Sequence, residues 1–208
     1  MSNERPIEHK EAKRPPGRPR VMSDDAIYLA GLQVLATYGS DGITLGRVAQ
    51  VLGVTPAAVR QRFGSKRGLL VDMARRRVDQ TERRFTAARA AHPSPLAALN
   101  AAFVAELDQI GEPQQLANAF SAYTDNIGDA DMRAAFATEL ASMERHIGEL
   151  LAEAAACGEF GGTVTPGLVS TVLAAVEGTM LIWAIAPRGE VEQRIYEAVE
   201  VVLRRAAG

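Results

Sequence analysis

Residues 34–70 read VLATYGSDGITLGRVAQVLGVTPAAVRQRFGSKRGLL. Gly39 stops a preceding helix, and Ser40-Asp41-Gly42 is turn chemistry. Thr44 then caps a short helix, LGRVAQVL, which Gly53 ends. Thr55 followed by Pro56 is an N-cap with proline at the first helical position, a strong start signal for PAAVRQRF. Gly64 closes that helix, and Ser65 opens another from Lys66 to about Arg89. Two short helices joined by a glycine-containing turn of a few residues form a helix-turn-helix over 44–63.

The same grammar continues on both sides. Ser23 caps a first helix whose first turn holds Asp24 and Asp25, where the dipole favours negative charge. Its apolar residues Ile27, Ala30, Val34, Leu35 and Tyr38 recur at helical spacing. Downstream, Ser94-Pro95, Pro113 and Thr165-Pro166 open helices, 129–156 is a long helix ended by Gly158, and 190–206 is the last. No alternating strand pattern occurs, so the class is all-α, with an N-terminal three-helix unit (23–82) and a C-terminal helical unit (91–208).

Charge divides the chain at the same place. Residues 1–90 carry 17 Lys+Arg against 9 Asp+Glu, and 91–208 carry 6 against 16. The basic part is a candidate polyanion binder. Cys157 is the single cysteine, which precludes an intrachain disulfide and makes a reduced, cytoplasmic setting the expectation. Residues 168–186 are apolar enough to raise a membrane span, but Glu177 sits at their centre, where a charge costs about 2.5–3.5 kcal/mol. A buried interface helix is the expected reading, with no membrane partner.

The string 34–70 resembles the DNA-binding domain of the tetracycline-repressor (TetR) family. The likeness rests on Tyr38-Gly39, Thr44, Val48-Ala49, Leu52-Gly53-Val54, Phe63, Ser65-Lys66 and Leu69-Leu70. A helix-turn-helix lays its second helix in the major groove. That helix turns Thr55, Pro56, Ala57, Ala58, Gln61 and Arg62 outward, and Val59 and Phe63 inward. Thr and Ala suit a thymine methyl, Gln an adenine and Arg a guanine. Lys66 is expected at a phosphate, and Thr44 is a further DNA-contact candidate. Arg60 stands where the family usually has a phosphate-contacting Tyr; it can also hold a phosphate, with a different reach.

Residues 13–20, KRPPGRPR, precede this domain. The prolines keep the segment extended, and Gly17-Arg18-Pro19 between Arg14 and Arg20 resembles the core of an AT-hook. Such an arm (1–22) fits a narrow minor groove, where Arg gains most.

For 91–208 the resemblance implies an effector-binding and dimerisation domain, and hence a homodimeric repressor on a palindromic double-stranded operator. Leu168, Val172, Val176, Met180 and Trp183 give the penultimate helix a face. Ile195, Val199, Val202 and Leu203 give the last one a face. Those faces fit a dimer interface and equally a monomer core. Phe103, Phe120, Tyr123, Met132, Phe136, Met143, Met180 and Trp183 are candidates for an apolar effector pocket, with ordinary core packing as the alternative. His146 and Cys157 are too isolated for a metal site. No catalytic arrangement is present, so neither enzyme activity nor a cofactor is expected. An architectural DNA-binding protein without an effector is the rival function.

Overall fold

The computed structural model describes residues 23–108 and 110–207. The basic arm 1–22, with Arg14, Arg18 and Arg20, lies outside the described residues. Nine α-helices are described: α1 (Asp24–Gly42), α2 (Leu45–Leu52), α3 (Pro56–Phe63), α4 (Lys66–Ala91), α5 (Pro95–Val104), α6 (Pro113–Thr124), α7 (Ala130–Cys157), α8 (Pro166–Ile185) and α9 (Val191–Ala207). A 3-10 turn, Ala105–Leu107, follows α5.

The caps are those the sequence signals. The Ser23, Thr44, Thr55, Ser65, Ser94 and Thr165 hydroxyls each accept a backbone N–H from the first turn of the helix they open. Each satisfies one of the donors that a helix start leaves free. Gly53 and Gly158 take the left-handed conformation at helix ends, φ 65° and 85°. A side chain there would be strained.

Two expectations at the end of α1 are corrected. Gly39 does not stop the helix; it kinks it, at φ 69° and ψ −178°, and the last turn resumes as far as Gly42. Polar side chains of α6 satisfy the backbone around the break. The Asn118 amide donates to the Ala36 carbonyl at 2.8 Å, and the Ser40 N–H donates to the Ser121 hydroxyl at 3.2 Å. Tyr38 is exposed rather than on the core face. Near its end α1 turns Ala36, Gly39 and Ser40 inward, toward α6, which leaves Tyr38 on the other side.

Two apolar clusters hold the chain. One contains Ile27, Val34, Ile43, Val48, Leu69, Leu70 and Met73 from α1 to α4, and also Ala122, Met132, Ala135 and Phe136 from α6 and α7. The other joins Phe85 and Ala88 of α4 to α5, α7, α8 and α9. The expected boundary between 82 and 91 therefore falls inside α4, a continuous helix that belongs to both clusters. Among the described residues α8 alone is long and apolar enough to cross a membrane. Its Leu168, Val172, Val176 and Met180 are buried in the second cluster.

Candidate nucleic-acid interface and ligand cavity

The helix-turn-helix is held by its inward residues. Val48, Ala49 and Val59 are fully buried, and Phe63 packs against the same cluster. Thr55, Pro56, Ala57, Arg60, Gln61 and Arg62 are exposed, while Ala58 is half-buried. The side chains of Arg60 and Gln61 make no hydrogen bond among the described residues, so both are free for a polyanion and a base edge.

Other expected contacts have intramolecular partners. Arg62 pairs with Asp24, whose other oxygen lies 3.1 Å from Arg76. Lys66 is expected on a phosphate, yet its ammonium donates to the Ser40 carbonyl at 2.6 Å and the Asp41 carbonyl at 3.3 Å. It ties the start of α4 to the kinked end of α1, which leaves one of its three N–H bonds for another partner. Thr44 and Thr55 spend a lone pair on their caps, at 3.2 and 3.3 Å. One exposed cation escaped the sequence reading. Arg47 of α2 donates to the Gly42 carbonyl, and its guanidinium lies 4.3 Å from the Tyr38 ring centroid. Arg47 sits directly after the turn that places Thr44, and an Arg in that first turn was the available signal.

A cavity of about 620 Å³ opens between α1, α4, α6, α7 and α8. Its size follows from short side chains, since Ala36, Ala74, Ala87, Ala101, Ala105, Ala119 and Ala122 stand along its walls. Of the eight expected pocket residues, Phe120, Tyr123, Met132, Phe136 and Met180 line it. Phe103, Met143 and Trp183 do not, and this is a correction. Phe103 is fully buried, edge-on to Phe85 with centroids 6.2 Å apart, and Met143 lies in the same packed cluster. The Trp183 indole N–H donates to the Gly189 carbonyl at 3.0 Å and fastens the α8–α9 turn.

The cavity also holds an ionic network that hydrophobic patterning does not reveal. Arg77 Nε donates to both Glu139 oxygens at 2.8 Å, and its Nη2 to Glu106 at 3.0 Å. Arg84 lies 3.0 Å from the other Glu106 oxygen. The Tyr123 hydroxyl donates to Glu139 at 2.9 Å, and its ring stacks on Phe136. Burial opposes the Glu106 charge, but Arg84 and Arg77 outweigh it and hold the carboxyl below the usual range. A signal for the network exists in α4. Leu70, Ala74, Arg77, Thr81, Arg84 and Ala88 follow a spacing of 4-3-4-3-4, so the two arginines interrupt one inward stripe, and all six line the cavity.

The expected dimer residues also need correction. Leu168, Val172, Val176, Met180, Ile195 and Val199 are at most 8% exposed, and Val202 is half-buried. They fill the core of their own subunit, because α8 and α9 pack on each other and on α5, α6 and α7 through those faces. The exposed apolar side chains of these helices are Leu181, Ile182, Ile185, Tyr196 and Val201.

No family model matches the chain, and no curated protein matches it. Solved structures do. The regulatory protein TetR from Rhodobacter sphaeroides is similar at a TM-score of 0.69 and 20% identity, over 88% of this chain and 98% of that one. A TetR-family transcriptional regulator from Streptomyces coelicolor is similar at 0.64 and 20%, over 89% and 96%. Thermus thermophilus FadR, a TetR-family transcriptional repressor in complex with lauroyl-CoA, is similar at 0.56 and 14%, over 87% and 93%. The chain therefore has the all-helical TetR-type fold, an N-terminal helix-turn-helix followed by a helical C-terminal unit.

Proposed function

We propose that the protein is a cytoplasmic, homodimeric transcriptional regulator of the TetR type, a repressor released from a palindromic operator by a small effector bound in the cavity. The observation that carries this reading is the shared apolar cluster. Ala122, Met132 and Phe136 line the cavity and belong to the same apolar cluster as Ile27 and Val34 of α1 and Val48 of α2. A ligand that shifts those walls acts on the helix-turn-helix through packed side chains, in proportion to its differential affinity for the two states. That Thermus thermophilus FadR is a repressor in complex with lauroyl-CoA supports a ligand-responsive reading of the fold.

The outer faces of α8 and α9 would form the interface. Leu181, Ile182, Ile185 and Val201 are exposed apolar groups, and Ala174, Ala175 and Gly178 are short enough for close helix approach. Two subunits would set two α3 helices in major grooves about 34–36 Å apart. No catalytic role is assigned to any residue.

Operator binding measured with and without a panel of small molecules tests this. A ligand that raises the melting temperature and also releases DNA is expected. Binding with no sequence preference, unaffected by any ligand, would favour the architectural alternative.

A further inference from the structure

The charged groups of the cavity do not balance. The guanidinium groups of Arg77 and Arg84 are matched by the carboxylates of Glu139 and Glu106. Glu177 is a further carboxyl on the same walls, set midway along α8 between Leu173 and Met180. It makes no hydrogen bond or ion pair among the described residues. Glu177 is half-buried; drawing a carboxyl out of water without a partner is costly, and such groups cluster at functional sites.

We propose that the cavity takes a lipophilic organic cation, with the charged head on Glu177 and the apolar body among the alanines and aromatic rings. This deepens the effector reading and rests on it. Three observations favour a cation over an anion. With Glu177 ionised, the carboxylates of Glu106, Glu139 and Glu177 outnumber the guanidinium groups of Arg77 and Arg84 by one, and the other two charged wall residues, Arg83 and Asp108, offset each other, so one added positive charge restores neutrality. The Tyr123–Phe136 stack, with centroids 4.3 Å apart, and Phe120 supply π faces in the same cavity. The acidic excess of residues 91–208 draws cations and repels anions.

Burial, and then the negative charge of Glu106, push the Glu177 carboxyl up to about 8. The groups that face it are Glu106 on the 3-10 turn, Arg77 and Arg84 on α4, Glu139 on α7 and Tyr123 on α6. At pH 7 the empty site thus holds a carboxylic acid. A cation that pairs with it displaces the proton to solvent, so binding releases about one proton per site.

The test uses the full chain and three probes with the same tail: decyltrimethylammonium, decanol and decanoate. Calorimetry in two buffers of different ionisation enthalpy at pH 7 gives affinity and proton release together. The expected result is binding of the cation at least about tenfold tighter than the alcohol, with about one proton released at pH 7 and fewer at pH 9. Glu177→Gln should erase both the preference and the proton release, and leave decanol unchanged. Should that variant not fold, the pH dependence of proton release in the native protein decides alone. A cation preference that survives Glu177→Gln, or tightest binding of decanoate, overturns the assignment. If decanol or decanoate binds best and releases DNA, the cavity remains an effector site and only the cation fails. If none of the three binds, the cation assignment fails, and the effector reading is decided separately by the panel of small molecules.

Discussion

Gln61 and Arg60 occupy adjacent positions on the exposed side of α3, and neither side chain is spent inside the protein. A base-facing Gln contributes discrimination, and a phosphate-facing Arg contributes general affinity. Gln61→Ala should cost about 1–3 kcal/mol on the operator and little on random DNA. Arg60→Ala should weaken both alike and reduce the slope of log affinity against log salt by about one. Binding isotherms on the two DNAs at several salt concentrations separate these, and equal losses from Gln61→Ala would refute the docking. In the cavity, Arg77 shields Glu139, which is only 2% exposed. Arg77→Met leaves that carboxylate without its cation, with only the Tyr123 hydroxyl still donating to it, and destabilisation of about 3–5 kcal/mol is expected in chemical denaturation. Glu177 behaves in the opposite way. Its carboxyl is held near 8 in the folded chain against a usual 4.5, so the protonated form favours folding. That stability is fully present below pH 4.5 and is lost as pH rises through 8. Glu177→Gln should therefore equal the native protein in melting temperature near pH 5 and exceed it progressively up to pH 8. A constant difference across that range would contradict the shift.

At the scale of elements, α8 and α9 divide their apolar residues between two sides. The inner side holds the subunit core, and the outer side carries Leu181, Ile182, Ile185 and Val201. Ile182→Glu with Val201→Glu should give a folded monomer by sedimentation, with operator affinity reduced by at least about 10²-fold because a single helix-turn-helix makes half the contacts. A dimer that survives would place the interface elsewhere. These helices also mark the limit of what the sequence conveys. Helix starts were legible because a capping hydroxyl and a following proline act within four residues, as at Thr55-Pro56 and Thr165-Pro166. The buried stripe of α8 was legible, but whether its own subunit or a partner covers it was not, because the helix is apolar nearly all round and either side could be the inner one. Gly39 is a similar case. The residue signals a break, but only Asn118 and Ser121 of α6, some 80 positions away, make it a kink instead of an end. The aromatic lining at Phe120, Tyr123 and Phe136 was readable as a candidate, whereas the Arg77–Glu139 pair joins residues 62 positions apart.

For the molecule as a whole, α3 and the cavity are two ends of one packed structure. The clamps between them are polar as well as apolar. Arg67, near the start of α4, donates to Asp129 at 2.6 Å and to Asp131 at 2.6 Å, the cap and first turn of α7. Lys66 beside it holds the end of α1. On the proposed reading, a shift of α7 or α6 would be felt through these contacts at both helices that support the helix-turn-helix. The charge asymmetry acts on the same scale: on the proposed reading the basic part would face DNA, and the acidic part would disfavour any other docking. All of this rests on sequence-specific binding by a two-fold pair of α3 helices. The direct measurement is selection of DNA by the purified full-length protein from a random pool, followed by sequencing. A palindrome whose half-sites are centred about one helical turn, or a whole multiple of it, apart is the expected result. Recovery of unordered sequences, or of a single half-site without its mate, would contradict it.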